Sequence, residues 1–383
     1  MNIAFDALPL LGKKTGIGFC EAGQVRAMTR LHPENQYTLN YFAVKNLEEK
    51  KQDLKPYLDK HVKMKHAFCS PYGYRLISGF LPVPYSLFFG KDNQITHFFN
   101  YIVPPGVAGK TVVTVHDMVY KAYPETVRAR TRHMLSLGLV QSMTRADRIV
   151  TDSEFSKSEI IKYYPEFASK IRVVPCGVDS EKFYPVHDET AFRKIQKKYQ
   201  LPDSYFLYLG TLEPRKNLEN LISAYAEFAK MQEHPAKLVL AGAKGWLYDS
   251  IFQQVKRLHL EQQVIFTEYI QEQDLCTLMS CALAFVFPSI YEGFGMPPLE
   301  AMACGTPVLV SDSASLPEVT GTDAVIVKPD SIPDMTKGLN RLFTDENLRK
   351  MLSQKGLARA KSFSWEKSAE LLYQVYQELL PEE

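Results

Sequence analysis

The residues best suited to chemistry lie in loops of the C-terminal half. The segment EGFGMPPLE (292–300) carries two carboxylates eight residues apart and enters a helix through two prolines. Gly293 and Gly295 allow backbone N–H groups to approach a ligand closely. A helix N-terminus attracts phosphate, and the carboxylate of Glu300 suits a sugar diol because it accepts two hydrogen bonds. An ordinary capping loop in front of a buried helix is the alternative interpretation.

A second segment, TLEPRKN (211–217), places two adjacent cations, Arg215 and Lys216, at the start of another helix. A guanidinium forks onto phosphate oxygens and an ammonium adds a point charge, so the pair suits a diphosphate. An Arg-Lys pair by itself is more often solvated surface. We expect both side chains to be exposed and to contribute little to folding stability.

The N-terminal half offers two weaker candidates. Gly16 and Gly18 follow the first predicted strand, but Glu21 stands where a dinucleotide-binding G-x-G-x-x-G pattern requires glycine. His116 follows the apolar run TVVTV, where a buried strand ends. A lone histidine is more often structural, but this is also where a side chain that faces a ligand is expected.

The elements that must position these residues repeat twice along the chain. Short apolar or β-branched runs alternate with amphipathic stretches, which predicts parallel strands alternating with helices in two doubly wound α/β domains. The runs of the first series are 2–7, 37–44, 94–99, 111–116, 147–152 and 171–175. Those of the second series are 205–210, 237–242, 263–268, 282–287, 306–311 and 324–328.

Composition supports an ordinary globular protein of two domains. The 383 residues are 45% hydrophobic and 23% charged, which argues against disorder, collagen and coiled coil. No run reaches the roughly 18 apolar residues of a membrane-spanning helix, and we expect no secretion leader. The six cysteines form no C-x-x-C pair, so we expect reduced, mostly buried thiols, no zinc site and a cytoplasmic location.

Charge divides the chain unequally. Up to Phe183 there are 25 lysines and arginines against 17 acidic residues (+8), and after it 20 against 26 (−6). The lysine-dense stretch 45–66 and the aromatic stretch 72–90 suggest contact with an anionic membrane surface or a lipid-diphosphate acceptor. Lysines on a solvated helix and aromatics in a core are the alternative interpretation.

Motifs along nearly the whole chain resemble a known family. GTGIG, VHD, SEFSKSEI, IRVVPCGVD, GTLEPRKNL, EGFGMPPLEAMACGTPVLVS and LPEV, in that order, resemble the retaining glycosyltransferases of family 4, or group 1. The similarity is densest from Gly210 to Val319. Within the family, three of these motifs look most like bacterial mannosyltransferases of surface polysaccharide assembly, including lipopolysaccharide.

The resemblance implies a GT-B fold, in which two Rossmann-like domains face a central cleft. The N-terminal, acceptor-side domain covers residues 1–183 and is joined by a C-terminal helix, 364–383, that crosses back to it. The nucleotide-sugar domain covers 201–362, and residues 184–200 form a linker region.

The resemblance also assigns roles to residues. Glu300 binds the ribose hydroxyls, and Glu292 contacts the transferred sugar. Backbone groups around Phe294 and Gly295 also hold hydroxyls of that sugar. Arg215 and Lys216 neutralise the diphosphate; many relatives carry an arginine where this chain has Thr211. The predicted catalytic residues are therefore His116, Glu292, Arg215 and Lys216. The predicted donor-binding residues are Arg215, Lys216, Glu292, Gly16, Gly18, Gly293, Phe294, Gly295, Glu300, Tyr269 and Ile270. Tyr269 and Ile270 are expected to contact the base.

The resemblance implies transfer of a hexose from a nucleotide sugar, favouring mannose from GDP-mannose, to a saccharide or lipid-linked saccharide acceptor. A front-face route, in which the leaving phosphate assists the acceptor hydroxyl, is the family expectation. No Asp-x-Asp occurs, so we expect no metal requirement. We also expect no cofactor besides the nucleotide-sugar substrate, and no nucleic-acid partner. A UDP-hexose donor, a GT-B epimerase or hydrolase, and a silent sugar-nucleotide-binding protein remain alternatives.

Overall fold

The computed structural model describes residues 1–81 and 83–380. The chain divides into two compact units. Residues 1–177 and the chain from Trp365 onward form the first unit, and residues 178–364 form the second. Each unit is built around one parallel sheet.

The first sheet has seven parallel strands in the order β3-β2-β1-β4-β5-β6-β7. The order reverses direction between β1 and β4, so loops that follow these two strands diverge and leave a crevice at their carboxyl ends. The strands are β1 (Asn2–Asp6), β2 (Gln36–Phe42), β3 (Val62–Ala67), β4 (Ile95–Phe98), β5 (Lys110–Thr114), β6 (Arg148–Thr151) and β7 (Ile171–Val173).

Helices flank the first sheet and complete two apolar clusters. One cluster joins Phe5 and Leu39 to Met28, and the other joins Phe98 and Val113 to Leu139. Strands covered on both faces are rich in apolar and β-branched residues, as in β4 (ITHF) and β5 (KTVVT). The helices are α1 (Gly16–Leu31), α2 (Leu47–Leu54), α3 (Pro71–Phe80), α4 (Ser86–Phe89), α5 (Val119–Ala122), α6 (Ala129–Arg145) and α7 (Glu154–Tyr163).

The second sheet has six parallel strands in the order β10-β9-β8-β11-β12-β13. Its order reverses between β8 and β11. The strands are β8 (Tyr205–Leu209), β9 (Lys237–Ala241), β10 (Val264–Thr267), β11 (Ala284–Phe287), β12 (Val308–Ser311) and β13 (Val325–Val327).

Eight helices of the second unit lie among the described residues. They are α8 (Glu189–Tyr199), α9 (Leu218–Lys230), α10 (Asp249–Arg257), α11 (Glu272–Ser280), α12 (Met296–Ala303), α13 (Leu316–Thr320), α14 (Ile332–Thr344) and α15 (Glu346–Ala360). Residues 184–200, predicted as a linker region, are packed on this unit. Tyr199 Oη donates to Asp274 Oδ2 at 2.6 Å, and the Val186 amide donates to Ser280 at 3.1 Å.

The last helix, α16 (Trp365–Gln377), belongs to the first unit and packs against α1. Gln24 Nε2 donates to Ser368 Oγ at 3.0 Å, and the Tyr376 hydroxyl lies 2.6 Å from His97 Nδ1. Glu378 pairs with two arginines of the sheet, Arg148 and Arg172. The end of the predicted helix, 381–383, lies outside the described residues.

Strand β3 is the one strand of the described chain that the sequence reasoning missed. It lies in the lysine-dense stretch, and Lys63 and Met64 are exposed on it. It forms the edge of the sheet, where lysine discourages pairing with another chain. Across residues 1–81 and 83–380, no helix is both long and apolar enough to cross a membrane.

Candidate functional site

Three predicted site residues meet where the second sheet reverses direction. Arg215 and Lys216 lie in a single 3-10 turn, Pro214–Lys216, that follows β8. Glu292 lies in the loop that follows β11, the neighbouring strand. Parallel sheets bind ligands at this kind of crevice, because the loops on its two sides lead away in opposite directions.

Both oxygens of the Glu292 carboxylate are engaged by these cations. Arg215 Nη1 donates to Glu292 Oε2 at 2.6 Å, and Lys216 Nζ donates to Oε1 at 2.6 Å. The Ser289 hydroxyl also donates to Oε1, at 2.5 Å. Glu292 therefore holds the two cations in place, so its carboxylate has little capacity left for a sugar hydroxyl.

A second carboxylate, Glu213, completes the cluster. Arg215 Nη2 donates to Glu213 Oε1 at 2.7 Å, and Glu213 is buried. The four charges of Glu213, Arg215, Lys216 and Glu292 sum to zero. Sequence reasoning missed Glu213, although its place two residues before Arg215, in a loop after a strand end, was a usable signal.

Burial corrects one expectation about the cations. Both cations were expected to be exposed, but Lys216 is buried and Arg215 is half-buried. The Lys216 ammonium also lies 4.9 Å from the centre of the Phe287 ring. Burial and the neighbouring Arg215 lower the pKa of Lys216, whereas Glu292 and Glu213 raise it. A buried lysine that neutralises a buried carboxylate is part of the fold as well as of the site.

The charge state of Glu292 follows from the same contacts. Burial by itself raises the pKa of this carboxyl, but Arg215 and Lys216 outweigh burial and hold the pKa at about 2. Glu292 is therefore ionised throughout the physiological pH range, and it is no proton donor to a leaving group.

The loop between Glu292 and α12 is fixed by local contacts. Ser315 Oγ lies 3.0 Å from the carbonyl oxygen of Glu292 and 2.7 Å from that of Phe294. Gly295 has φ of 109°, and a Cβ there would lie 2.7 Å from Leu316. Glycine is thus required at the turn that starts the helix.

Glu300 lies on α12, and its carboxylate has no hydrogen-bond partner within 1–81 and 83–380. Burial raises its pKa to about 7, while Lys182 acts in the opposite direction. A partly buried carboxyl with an elevated pKa in a crevice is typical of a ligand-binding group.

The two residues predicted to contact the base differ in exposure. Both follow β10, which lies two strands from β8 in the sheet. Tyr269 is 50% exposed, whereas Ile270 is buried at 3%. Only the tyrosine therefore presents a large surface to a ligand, and base contact stays a prediction for both.

In the first unit, Gly16 and Gly18 form the first turn of α1. Thr15 stands at the N-cap without a side-chain hydrogen bond to the helix. A Cβ on Gly18 would lie 2.4 Å from the Pro9 carbonyl oxygen, so this position admits only glycine. Backbone N–H groups of an uncapped first turn are suited to an anion.

His116, which follows β5, is held at both ring nitrogens. Nδ1 lies 2.6 Å from Asp152 Oδ2, and Nε2 lies 2.8 Å from the Phe99 carbonyl oxygen. Both partners are acceptors, so both nitrogens carry hydrogen and the ring is an imidazolium. Burial lowers the pKa of His116, but the Asp152 charge reverses this and raises the pKa to about 10. Asp152 directly follows strand β6, and sequence reasoning missed it.

One group in the described residues has the composition of a metal site. Ligand atoms of Cys20, His116 and Asp152 lie within 4.8 Å of one another, and all three residues are buried. His116 offers no lone pair to a metal, however, because both its nitrogens donate hydrogen bonds. The geometry therefore describes an ion pair beside a thiol.

Family models and sequence relatives identify the family of the chain. Residues 189–359 match the model for glycosyl transferases group 1, and residues 93–182 match glycosyltransferase family 4. The chain is 36% identical over 278 residues to O-antigen chain mannosyltransferase B of Escherichia coli, covering 72% of each protein. The chain belongs to the group 1 glycosyltransferases.

Other relatives of this glycosyltransferase are longer or more distant. It is 33% identical over 282 residues to the serotype-specific mannosyltransferase WbdA of Escherichia coli, spanning about a third (34%) of that protein. In fold it is similar to sucrose-phosphate synthase of Thermosynechococcus elongatus, with a TM-score of 0.77, 20% identity and 99% of each chain covered. Anabaena Alr3699/HepE in complex with UDP-glucose gives a TM-score of 0.74 at 17% identity, covering 99% of this chain and 100% of that one. These likenesses confirm the GT-B fold class.

The hexosyltransferase activity predicted from the motifs is confirmed by the family. Within the second unit, the structure brings Arg215, Lys216 and Glu292 into direct contact. Gly16, Gly18 and His116 belong to the first unit. The role of each site residue stays a prediction.

Proposed function

We propose that this glycosyltransferase moves mannose from GDP-mannose to a saccharide or lipid-linked saccharide, with retention of anomeric configuration and without a metal ion. The names of its relatives support mannose, since two of them are mannosyltransferases, one of an O-antigen chain. The family supports retention. Arg215 and Lys216 supply the positive charge that a metal ion would otherwise bring to the leaving diphosphate.

The observation that carries the proposal is the charged cluster at the reversal of the second sheet. The leaving nucleoside diphosphate develops negative charge as the glycosidic bond breaks, and fixed donors stabilise it. Lys216 Nζ uses one of its three hydrogens on Glu292, so it retains donors for phosphate oxygens. The carboxylates of Glu213 and Glu292 orient both cations before the substrate arrives.

Ribose recognition is assigned to Glu300. Its carboxylate is unpartnered in the described protein, as expected of a group whose partners are ligand hydroxyls. Glu292 acts through Arg215 and Lys216 as a positioning residue, which departs from the sugar-contacting role that the resemblance implies.

Alternative activities use the same site. A UDP-hexose donor is supported by the complex of Anabaena Alr3699/HepE with UDP-glucose. An epimerase or hydrolase would consume the sugar nucleotide without an acceptor, and a silent binding protein would not consume it.

A thermal-shift panel of GDP, UDP and ADP tests the donor assignment. A nucleotide at 100 times its dissociation constant stabilises the folded protein by about 2.7 kcal/mol. We expect GDP to raise the melting temperature most. A larger shift with UDP would replace mannose from GDP-mannose with a UDP-hexose, and no shift with any nucleotide would contradict a donor site.

We further propose a cytoplasmic location with peripheral contact to the inner face of the membrane. Among the described residues between 64 and 87, large apolar side chains are exposed at Met64, Phe68, Ile77, Leu81 and Leu87. Exposed lysines, Lys60 and Lys63, lie in the same part of the chain. Apolar and basic side chains together favour an anionic lipid surface.

A further inference from the structure

All six cysteines are free thiols, and four of them lie in two close pairs that no C-x-x-C motif marks. In the second unit, the Cys304 thiol donates to Cys276 Sγ, and the two sulfurs are 3.9 Å apart. In the first unit, the Cys176 thiol donates to Cys20 Sγ at 3.3 Å. The members of each pair come from different elements, so it is the fold that brings them together.

Cys276 lies on α11, where its sulfur is surrounded by hydrogen-bond donors. Besides the Cys304 thiol, the Tyr184 amide donates to Cys276 Sγ at 3.4 Å. The hydrogen bond from Cys304 lowers the pKa of Cys276, burial raises it, and hydrogen bonds from Tyr184 and Ser280 lower it further. The net direction is downward, so at neutral pH more of Cys276 is thiolate than the few per cent of an ordinary cysteine. The thiolate is the form that peroxides oxidise.

Cys304 has the properties of the resolving partner of such a thiolate. Its hydrogen bond to Cys276 and its burial raise its pKa, so it remains a protonated thiol beside the Cys276 sulfur. Cys304 is 2% exposed and Cys276 is 8% exposed, so an oxidant from solvent reaches Cys276 first. Cysteines that sense oxidants are commonly low-pKa thiols with a second thiol next to them.

The pair in the first unit is closer but more protected. Cys20 is 2% exposed and Cys176 is 3% exposed, both less than Cys276. The hydrogen bond to Cys20, burial and the Asp152 charge all raise the pKa of Cys176. We therefore expect peroxide to attack the pair in the second unit first.

The pair in the second unit is connected to Glu300 through α12. Cys304 directly follows this helix, and its amide donates to the Glu300 carbonyl at 3.0 Å. A disulfide requires the sulfurs to approach from 3.9 Å to about 2 Å, which pulls the end of α12 and α11 toward each other. Glu300 lies one turn before the displaced end, so the bond disturbs the carboxylate assigned to the ribose.

We propose that Cys276 and Cys304 form a peroxide-sensitive thiol pair whose disulfide weakens nucleotide binding by displacing Glu300. The Cys276 thiolate attacks one oxygen of hydrogen peroxide, the O–O bond breaks, and the leaving hydroxide takes up a proton to give water. The Cys304 sulfur then attacks the Cys276 sulfenic acid, the S–O bond breaks, and the Cys304 proton leaves with the hydroxide as a second water. Two thiols are oxidised and one peroxide is reduced. The effect on nucleotide binding rests on the proposed function, whereas formation of the disulfide does not.

The test treats the reduced full chain with hydrogen peroxide and maps its cysteine peptides by mass spectrometry. We expect a disulfide between Cys276 and Cys304, two fewer reactive thiols among the six, and complete reversal by dithiothreitol. Calorimetry on the same samples should show that oxidation lowers GDP affinity about tenfold, as the loss of one charge-assisted hydrogen bond would, and that reduction restores it.

Serine variants separate the two chemical steps. Cys304→Ser retains the attacked thiol, so peroxide should give a sulfenic acid on Cys276 that dimedone labels, with no disulfide and no loss of GDP affinity. Cys276→Ser should abolish both the dimedone label and the disulfide. Cys281→Ser is the matched control, because Cys281 directly follows α11 and is half-buried. It should form the disulfide as the wild type does.

Four outcomes would overturn the proposal. They are no disulfide after peroxide, a disulfide between Cys20 and Cys176 with Cys276 and Cys304 still free, no dimedone label on Cys276 in Cys304→Ser, and a Cys276–Cys304 disulfide that leaves GDP affinity unchanged. If the reduced protein binds no GDP, the proposed donor is wrong, and peptide mapping still decides whether the disulfide forms.

Discussion

At the residue scale, Glu300 gives a pH signature to nucleotide binding. Its carboxyl has a pKa near 7, so the ionised form that accepts hydrogen bonds from a diol is lost as pH falls below 7. We expect the dissociation constant for GDP to rise about tenfold from pH 8 to pH 6, because the ionised fraction falls by about that factor.

Glu300→Gln is the control for this titration. It should weaken GDP binding about tenfold to hundredfold at pH 8, the value of a charge-assisted hydrogen bond. It should also flatten the part of the pH dependence that is due to the protein. Calorimetry at both pH values measures this, and an identical pH dependence in wild type and variant would remove Glu300 from the ribose site.

Lys216 is predicted to matter for folding as well as for transfer. Lys216→Ala leaves Glu292 with one cation in a buried setting, and breaking a buried pair costs about 3–5 kcal/mol. Lys230→Ala is the matched control, because Lys230 pairs with Glu227 on an exposed helix face and should cost less than about 1 kcal/mol. Denaturant unfolding measures the free energy of unfolding of both variants. An equal loss in the two would contradict a buried ion pair at Lys216.

His116 is predicted to remain protonated because of Asp152. Its pKa of about 10 exceeds the unfolded value near 6.5, so the ion pair stabilises the fold fully below pH 6.5 and loses this effect as pH rises through 10. Asp152→Asn should lower stability by up to about 3 kcal/mol at pH 7, with the difference vanishing toward pH 10. In that variant we expect the His116 ring to titrate below pH 7 in NMR spectra. A ring that titrates near pH 6.5 in the wild type would contradict the imidazolium.

Sequence reasoning found the cations and carboxylates of the second unit but not their contacts. Spacing along the chain placed Arg215 and Glu292 after two strands. It could not reveal that these strands are neighbours in the sheet, or that both oxygens of the Glu292 carboxylate form ion pairs. Asp152 was missed because a single acidic residue in a loop carries no periodic or compositional signal, and Glu213 was missed although it lies in the same loop as Arg215, directly after a strand.

At the scale of elements, the strands were largely predictable because parallel strands covered on both faces are continuously apolar. Twelve apolar runs correspond to strands, whereas β3 was missed because an edge strand tolerates charge. Its sequence VKMKHA resembles a solvated lysine stretch. Residues 184–200 were predicted to be a linker region because they lie between the two series of strands, but α8 within them packs on the second unit.

The β3 region yields a prediction about lipid binding. We expect the protein to co-sediment with anionic vesicles and not with zwitterionic ones, and added NaCl should weaken binding, since each lysine near the surface contributes about 1 kcal/mol. Replacing Lys60, Lys63 and Lys65 with glutamate should reduce it. Lys65 contributes less, because its ammonium donates to the Phe89 carbonyl at 2.8 Å.

Replacing Lys350, Lys355 and Lys361 with glutamate, in and directly after α15, makes the same change of charge elsewhere and should leave vesicle binding unchanged. Equal binding to both lipid types, or to neither, would return β3 to ordinary surface and leave a soluble saccharide as the acceptor.

At the scale of the whole molecule, two parallel-sheet units each carry a crevice at the reversal of strand order. The second unit holds the charged cluster suited to a diphosphate, and the first holds a cavity of about 440 Å³ at the carboxyl ends of its strands. This division matches a reaction with two substrates, one of them a nucleotide sugar.

The most direct test of the central claim is turnover of GDP-mannose by the purified protein with a mannose-containing acceptor, in buffer with excess EDTA. Mass spectrometry of the acceptor and assay of released GDP measure the reaction. We predict one hexose added for each GDP released, undiminished by chelation, with UDP-glucose giving no product and Arg215→Ala greatly reduced. Product from UDP-glucose alone, GDP release without acceptor modification, or activity that disappears with EDTA and returns with Mg²⁺ or Mn²⁺ would contradict the account.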